Sequence, residues 1–242
     1  MNIELFFVRL DKILQTFKSY ILLKIFLRYR VLASTEHRFV LNRPFATVVD
    51  IGSNRGQFSL ACLKWAPKAR VFAFEPQARP CHIYRQIFLS LGNFSMHEVA
   101  IGPSRCRNTM HLSASDDSSS LLPISNNQQS IYPGTEEVGV IQVDVAPLGD
   151  FISAGQLIAP AILKIDVQGF ELDVLKGSES LLSRFSCIYC ECSFIELYTG
   201  QKLAHEIIEW LGQRGFNLSG IYNLSCDNLG RTIQADFLFE SY

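Results

Sequence analysis

Thr47-Val48-Val49-Asp50-Ile51-Gly52-Ser53-Asn54-Arg55-Gly56-Gln57-Phe58 decides the fold. A β-branched run ends in an acid, two glycines follow four residues apart, and a helical apolar pattern begins. That order predicts a strand over 47–51 turning tightly into a helix over 56–65. Small residues at such a turn let a ligand lie against the backbone, and the free N–H groups of the helix start face it. A second strand is expected over 70–75, ending Phe72-Ala73-Phe74-Glu75-Pro76. Its carboxylate falls about 20 residues past the turn, where doubly wound folds hold the ribose hydroxyls of an adenosine ligand.

The alternation continues beyond this stretch. A helix over 78–91 leads to a strand over 94–101. Segments 107–112 and 138–145 alternate enough for a hairpin, around a polar stretch at 113–135 with little periodicity. A loop of that length inside a compact domain is usually functional or mobile. Ala161-Ile162-Leu163-Lys164-Ile165-Asp166 reads as a fourth strand, again ending in an acid, with a helix over 170–183 behind it. A strand over 187–193, a helix over 202–214 and an antiparallel pair near 216–224 and 234–240 complete the chain. Strands alternating with helices argue for parallel βαβ units. Seven strands with the last two reversed predict an α/β fold of the class I methyltransferase type, a Rossmann-like sheet with helices on both faces. A helical extension, residues 1–40, precedes this domain at 41–242.

The glycine spacing bears on the ligand. A dinucleotide fingerprint reads G-x-G-x-x-G, and its middle glycine admits a pyrophosphate. Here Asn54 stands in that place and Asp50 ends the strand. A carboxylate there repels a pyrophosphate but suits an ammonium and a sulfonium. S-adenosylmethionine carries both, so the pattern favours it over NAD.

Ligands of such sheets bind at the carboxyl ends of the strands, and Asp50, Glu75, Asp166 and Glu191 all map there. One such acid could be a helix cap, as Asp166 could be for the helix after Gly169. Four together repel unless a cation or donors share them. The expected cofactor set is Asp50, Gly52, Asn54, Gly56 and Glu75, with Ala100 from the end of the third strand. Asp166, Glu171 and Glu191 are expected to face the methyl acceptor. A hydroxyl acceptor needs a base near the sulfonium, and a partly desolvated carboxylate can serve. Which of the three does so stays open.

A net charge of −1 over 242 residues gives no reason to expect a nucleic-acid partner. The seven cysteines are odd in number and scattered, which points to a reducing compartment and a cytoplasmic location. Cys187, Cys190 and Cys192 lie in an apolar run without a second Cys/His pair at zinc spacing, so they read as buried thiols and no metal is expected. Residues 1–33 place Ile3, Phe6, Phe7, Leu10, Ile13, Leu14, Phe17 and Ile21 near helical spacing, among Arg9, Lys12, Lys18, Lys24, Arg28 and Arg30. The uninterrupted apolar runs fall far short of the ~20 residues that span a bilayer, and no signal-peptide pattern is present. Two readings follow: a helix lying on an anionic membrane surface, or a helix packed on the domain or on a second subunit of a homodimer.

Several of these stretches resemble the FkbM-type methyltransferases. They are Asp50–Gly56, Phe74-Glu75-Pro76, Leu163-Lys164-Ile165-Asp166-Val167-Gln168-Gly169-Phe170-Glu171-Leu172 and Val174-Leu175-Lys176-Gly177. Glu191–Gln201, with its Ser193-Phe194 and Leu197-Tyr198, resembles one branch of them. The likeness runs from Val48 to Phe239, and the Lys164–Glu171 block is its most specific part. The resemblance implies S-adenosylmethionine-dependent O-methylation, with a small-molecule or glycan acceptor such as a sugar or polyketide hydroxyl. Ser118-Ser119-Ser120-Leu121 looks like the family's loop near the cofactor, which adds Ser119 to the expected cofactor set. Ser53 replaces the usual alanine, and Gly149-Asp150 replaces the usual Asp-Asp or Asp-Glu. The competing readings are an NAD-binding protein of the same sheet type and a non-catalytic member acting through its basic N-terminal helix. Retention of all four strand-end acids argues against the second.

Overall fold

The computed structural model describes residues 3–88 and 90–241, with backbone alone for residues 3–9. Met1, Asn2, the side chains of Ile3, Phe6, Phe7 and Arg9, and Leu89 of the expected 78–91 helix therefore lie outside the described residues. The extension forms α1 (Ile3–Phe17) and α2 (Tyr20–Tyr29), followed by a short α3 (Arg38–Leu41). Ser19 breaks the pair by capping α2, its hydroxyl accepting from the Leu22 N–H at 3.4 Å. Leu22, Ile25 and Tyr29 then pack with Tyr84, Ile87 and Phe88 of the domain.

The domain begins with β1 (Thr47–Ile51), α4 (Gln57–Trp65), β2 (Arg70–Phe74), α5 (Ala78–Phe88) and β3 (Phe94–His97). It continues through β4 (Ala100–Ile101), β5 (Cys106–Ser113), α6 (Asn126–Ile131) and β6 (Glu137–Ala146). The second half is β7 (Ala161–Ile165), α7 (Glu171–Gly177), β8 (Cys187–Ser193), α8 (Ala204–Gly212), β9 (Phe216–Cys226) and β10 (Thr232–Ser241). The main sheet has seven strands in the order β3-β2-β1-β7-β8-β10-β9. The first five run parallel, and β10 is antiparallel to both β8 and β9. All five residues of β1 and of β7 are buried, as continuous apolar strands covered on both faces require. The chain steps outward from β1 to β3 and then returns to β7 on the other side. That reversal puts the Gly52 turn and Asp166 side by side, where open sheets bind ligands.

Three expected elements differ in detail. The strand over 94–101 is two strands, because Ala100–Ile101 leaves the main sheet to pair with Val145–Ala146 in a three-stranded sheet ordered β4-β6-β5. Val99, Ile101, Ala146 and Leu148 are buried together in the core by this detour, each contributing roughly 1–3 kcal/mol. The helix over 170–183 stops at Gly177 and continues as a 3-10 turn, Glu179–Arg184. Gly177 sits so close to Gly102 that a Cβ there would lie 2.3 Å from its carbonyl oxygen. The polar stretch at 113–135 holds a 3-10 turn, Asp116–Ser118, and α6. The hairpin is present as expected, with Asn108 opposite Val143.

Candidate active site

A cavity of about 1020 Å³ opens at the carboxyl ends of the parallel strands. Of the expected site residues it is lined by Gly52, Asn54, Glu75, Ala100, Ser119, Asp166 and Glu191. Asp50, Gly56 and Glu171 are not in its wall.

At one end the turn after β1 crosses the end of β7. Gly52 has φ +77°, and a Cβ there would lie 1.8 Å from the carbonyl oxygen of Asp166. No side chain fits that crossing. Glu75 is buried beneath the turn, its Oε2 accepting from the Asn54 N–H at 3.0 Å and its Oε1 from the Gln77 N–H at 2.9 Å. Each oxygen keeps a second acceptor site, so the carboxylate can still take a diol. Burial pushes its pKa up to about 7 against the pull of those N–H groups. Val99, Ala100, Ile101, Met110 and Phe170 supply an apolar wall beside it. The Ser119 segment closes this end through an ion pair between Arg55 and Asp116 and a bond from Gln77 Nε2 to the Asp116 carbonyl at 3.4 Å. Asn54 Oδ1 and Gln57 Oε1 are buried acceptors on cavity-lining residues that lack a donor among the described residues. An adenosyl amino acid fits this set: a diol on Glu75, an apolar wall for its base, and an ammonium for the two orphaned oxygens.

Asp50 does not touch that space. Side chains alternate along a strand, and Asp50 points to the α4 side, where its Oδ2 accepts from Ser59 Oγ at 3.0 Å. Tyr84 OH bonds the same hydroxyl at 3.0 Å. The other oxygen lies 3.4 Å from Lys164 Nζ. Burial raises the Asp50 pKa, and Lys164 opposes the rise. Gly56, at φ +92°, packs against Phe88 and Tyr84 instead of the cavity. Glu171 is likewise turned inward. Its Oε1 accepts from the N–H groups of Val167 at 3.3 Å and Gly169 at 2.9 Å, so it pins the turn between β7 and α7. Burial raises it to about 7 as well.

At the other end the acids share donors. Gln168, held at φ +57°, gives its amide N–H groups to Asp166 Oδ1 at 2.8 Å and Glu191 Oε2 at 2.9 Å. Its own oxygen accepts from Tyr198 OH at 2.8 Å. Glu191 Oε1 accepts from Gln234 Nε2 at 2.8 Å. Burial, with Asp166 and Asp236 nearby, raises Glu191 well above the ordinary range. Lys164 Nζ lies 3.4 Å from both Asp50 and Asp166. Burial disfavours its charge, but Asp166, Asp50 and Asp236 more than offset that and hold it ionised.

Sequence reasoning did not single out Gln57, Lys164, Gln168, His37 or Asp236. Lys164 had a signal, since a lysine inside a fully buried apolar strand must be paired. His37 and Asp236 had none, being brought together only by the fold. Asp236 Oδ2 accepts from Tyr189 OH at 3.0 Å and Asn223 Nδ2 at 2.7 Å, and burial raises it to about 6. His37 Nδ1 lies 3.1 Å from Tyr189 OH, and burial beside Lys164 and Lys12 keeps the ring neutral. With Lys12 and Glu36, paired at 2.7 Å, His37 extends the cavity wall into the N-terminal segment.

The raised carboxyls imply a pH dependence. Glu171 holds its proton to about pH 7 when folded but loses it near 4.5 when unfolded. The folded chain therefore binds more protons in that window, and this group's contribution is full below about 4.5 and lost as pH rises through about 7. His37 acts in the opposite sense, so the comparison is made against Glu171→Gln. Thermal melting across the window should shift in favour of that variant as pH rises. A constant difference would contradict this account.

The family model described as the Methyltransferase FkbM domain matches residues 50–218. The chain belongs to the FkbM methyltransferase family. This FkbM chain is 33% identical over 178 residues to 2-O-methyltransferase NoeI of Sinorhizobium fredii, an alignment covering 71% of this chain and 73% of NoeI. It is 28% identical over 145 residues to hexuronic acid methyltransferase AglP of Haloferax volcanii, covering 59% of this chain and 54% of AglP. Its fold is shared with Streptococcus pneumoniae Sp1610 solved with S-adenosyl-L-methionine, at TM-score 0.50 and 9% identity over 85% of this chain and 72% of that one. The FkbM chain is a methyltransferase whose cofactor is S-adenosylmethionine, not NAD.

Proposed function

We propose that the enzyme methylates a hydroxyl of a saccharide, with Asp166 taking the hydroxyl proton. The observation that carries this reading is the polar wall opposite Glu75, where Asp166, Gln168, Glu191, Asn223, Gln234 and Asp236 present carboxylates and amides to one space. Such a wall suits a polyhydroxyl acceptor better than an apolar one, because each buried polar group needs a partner. The relatives named as a 2-O-methyltransferase and a hexuronic acid methyltransferase support the same acceptor class. S-adenosylmethionine, when bound, supplies an electrophilic methyl group on a sulfonium.

Asp166 is preferred as the base on access. Both Glu191 oxygens already accept from amides, and Glu171 is enclosed by backbone N–H groups. The Asp166 side chain is 37% exposed. Its Oδ2 lies 3.4 Å from Lys164 Nζ, on the cavity wall where the acceptor hydroxyl would sit. Most of the rate in such an in-line transfer comes from alignment, which the Gln168 bridge supplies by holding Asp166 and Glu191 in one arrangement. Incubation with methyl-deuterated S-adenosylmethionine and a panel of saccharides tests the reading by mass spectrometry. The expected product is a deuterated methyl ether of a sugar. Labelling confined to amine acceptors would overturn it.

A further inference from the structure

The part of α1 with described side chains, residues 10–17, is inside out. Its polar side chains Asp11, Lys12, Gln15 and Thr16 turn toward the domain, while Leu10, Ile13, Leu14 and Phe17 are exposed. The inward groups are partnered by residues 35–38 of the extension and by Lys64 of the domain. Asp11 accepts from Thr35 Oγ1 at 3.0 Å and from Arg38 at 2.7 Å, and Gln15 Oε1 accepts from Lys64 Nζ at 2.6 Å. The exposed stripe continues onto α2 through Tyr20, Ile21 and Leu27, on the side away from Leu22. Phe17 is 65% and Tyr20 80% exposed. A helix in water turns its apolar stripe to the core, so a contiguous exposed stripe of this kind marks a partner surface.

Charge selects the partner. Lys18, Lys24, Arg28 and Arg30 are exposed along the same two helices. Asp11 is the one acid between residues 10 and 33, and it is held by Arg38. A second copy of this chain packed face to face would set one cationic face against another. An anionic lipid surface pairs with them and takes up the apolar stripe. We propose that the outer face of α1 and α2 docks on an anionic membrane surface. No described helix is long and apolar enough to cross a membrane, so the pair lies in the interface with its axis along it. Lys12, on the inward face of α1, lines the cavity, which sets the docked surface beside the end of the cavity assigned to the acceptor.

Co-sedimentation of the full chain with vesicles tests this without any methyl acceptor. Binding is expected to an equal mixture of phosphatidylcholine and phosphatidylglycerol, and to be much weaker to phosphatidylcholine alone. The triple variant Ile13→Ser, Phe17→Ser, Ile21→Ser should lose about a hundredfold or more in partitioning, at an unchanged melting temperature. Lys18→Glu, Lys24→Glu and Arg28→Glu together should lose a factor of at least about 10². Absence of sedimentation with the mixed vesicles would overturn the proposal, as would wild-type binding by the serine variant. A dimer in solution that the serine substitutions dissociate, with no vesicle binding, would assign the face to a second copy instead.

Discussion

Asp166→Asn is expected to lower turnover by ~10²–10⁴-fold while leaving affinity for S-adenosylhomocysteine unchanged. The substitution keeps shape and keeps an oxygen for Gln168 Nε2, so the bridge to Glu191 survives. It removes a cavity-wall carboxylate whose side chain is 37% exposed. The rival role for Asp166, capping the following helix, finds no support in the geometry. The N-cap of α7 is Phe170 with no side-chain cap bond, and Glu171 holds the N–H groups of the turn. Steady-state kinetics on the true acceptor decides the matter. Full turnover in Asp166→Asn would mean that the proton leaves by another route. Lost cofactor affinity would mean that Asp166 shapes the Gly52 crossing.

Glu75→Ala is expected to weaken S-adenosylhomocysteine binding by about tenfold or more, measured by calorimetry. Two ribose hydroxyls donating to a buried carboxylate make charge-assisted bonds, and alanine replaces both with nothing. The same change frees the Asn54 and Gln77 N–H groups, so part of any loss could come from a loosened turn. Glu75→Gln separates the two effects in part, because its one oxygen keeps one of the two turn bonds while the charge is gone. An intermediate affinity in Gln at wild-type melting temperature fits the diol role. Wild-type affinity in Glu75→Ala would place the ribose elsewhere.

The backbone of this site was legible because its signals are local. A β-branched strand, a glycine crossing and an acid at a strand end each follow from residue type and spacing, and Gly52, Glu75, Asp166 and Glu191 line the cavity accordingly. What was not legible depends on side-chain direction and distant partners. Asp50, one residue before the end of β1, faces Ser59, and Glu171 folds back beneath its own turn. Periodicity showed that α1 is amphipathic but not which face is inward. Lys64, Thr35 and Arg38, far along the chain, recruit its polar side. The glycine at the end of α7 is likewise required by Gly102, met across the fold.

The central claim is that the donor lies between Glu75 and the Asp166–Gln168–Glu191 bridge, and a crystal structure of the S-adenosylhomocysteine complex tests it most directly. The account predicts the ribose diol on Glu75, the amino group near Asn54 and Gln57, and the sulfur facing Asp166. A sulfur turned away from Asp166, or an adenosine bound without Glu75, would contradict it.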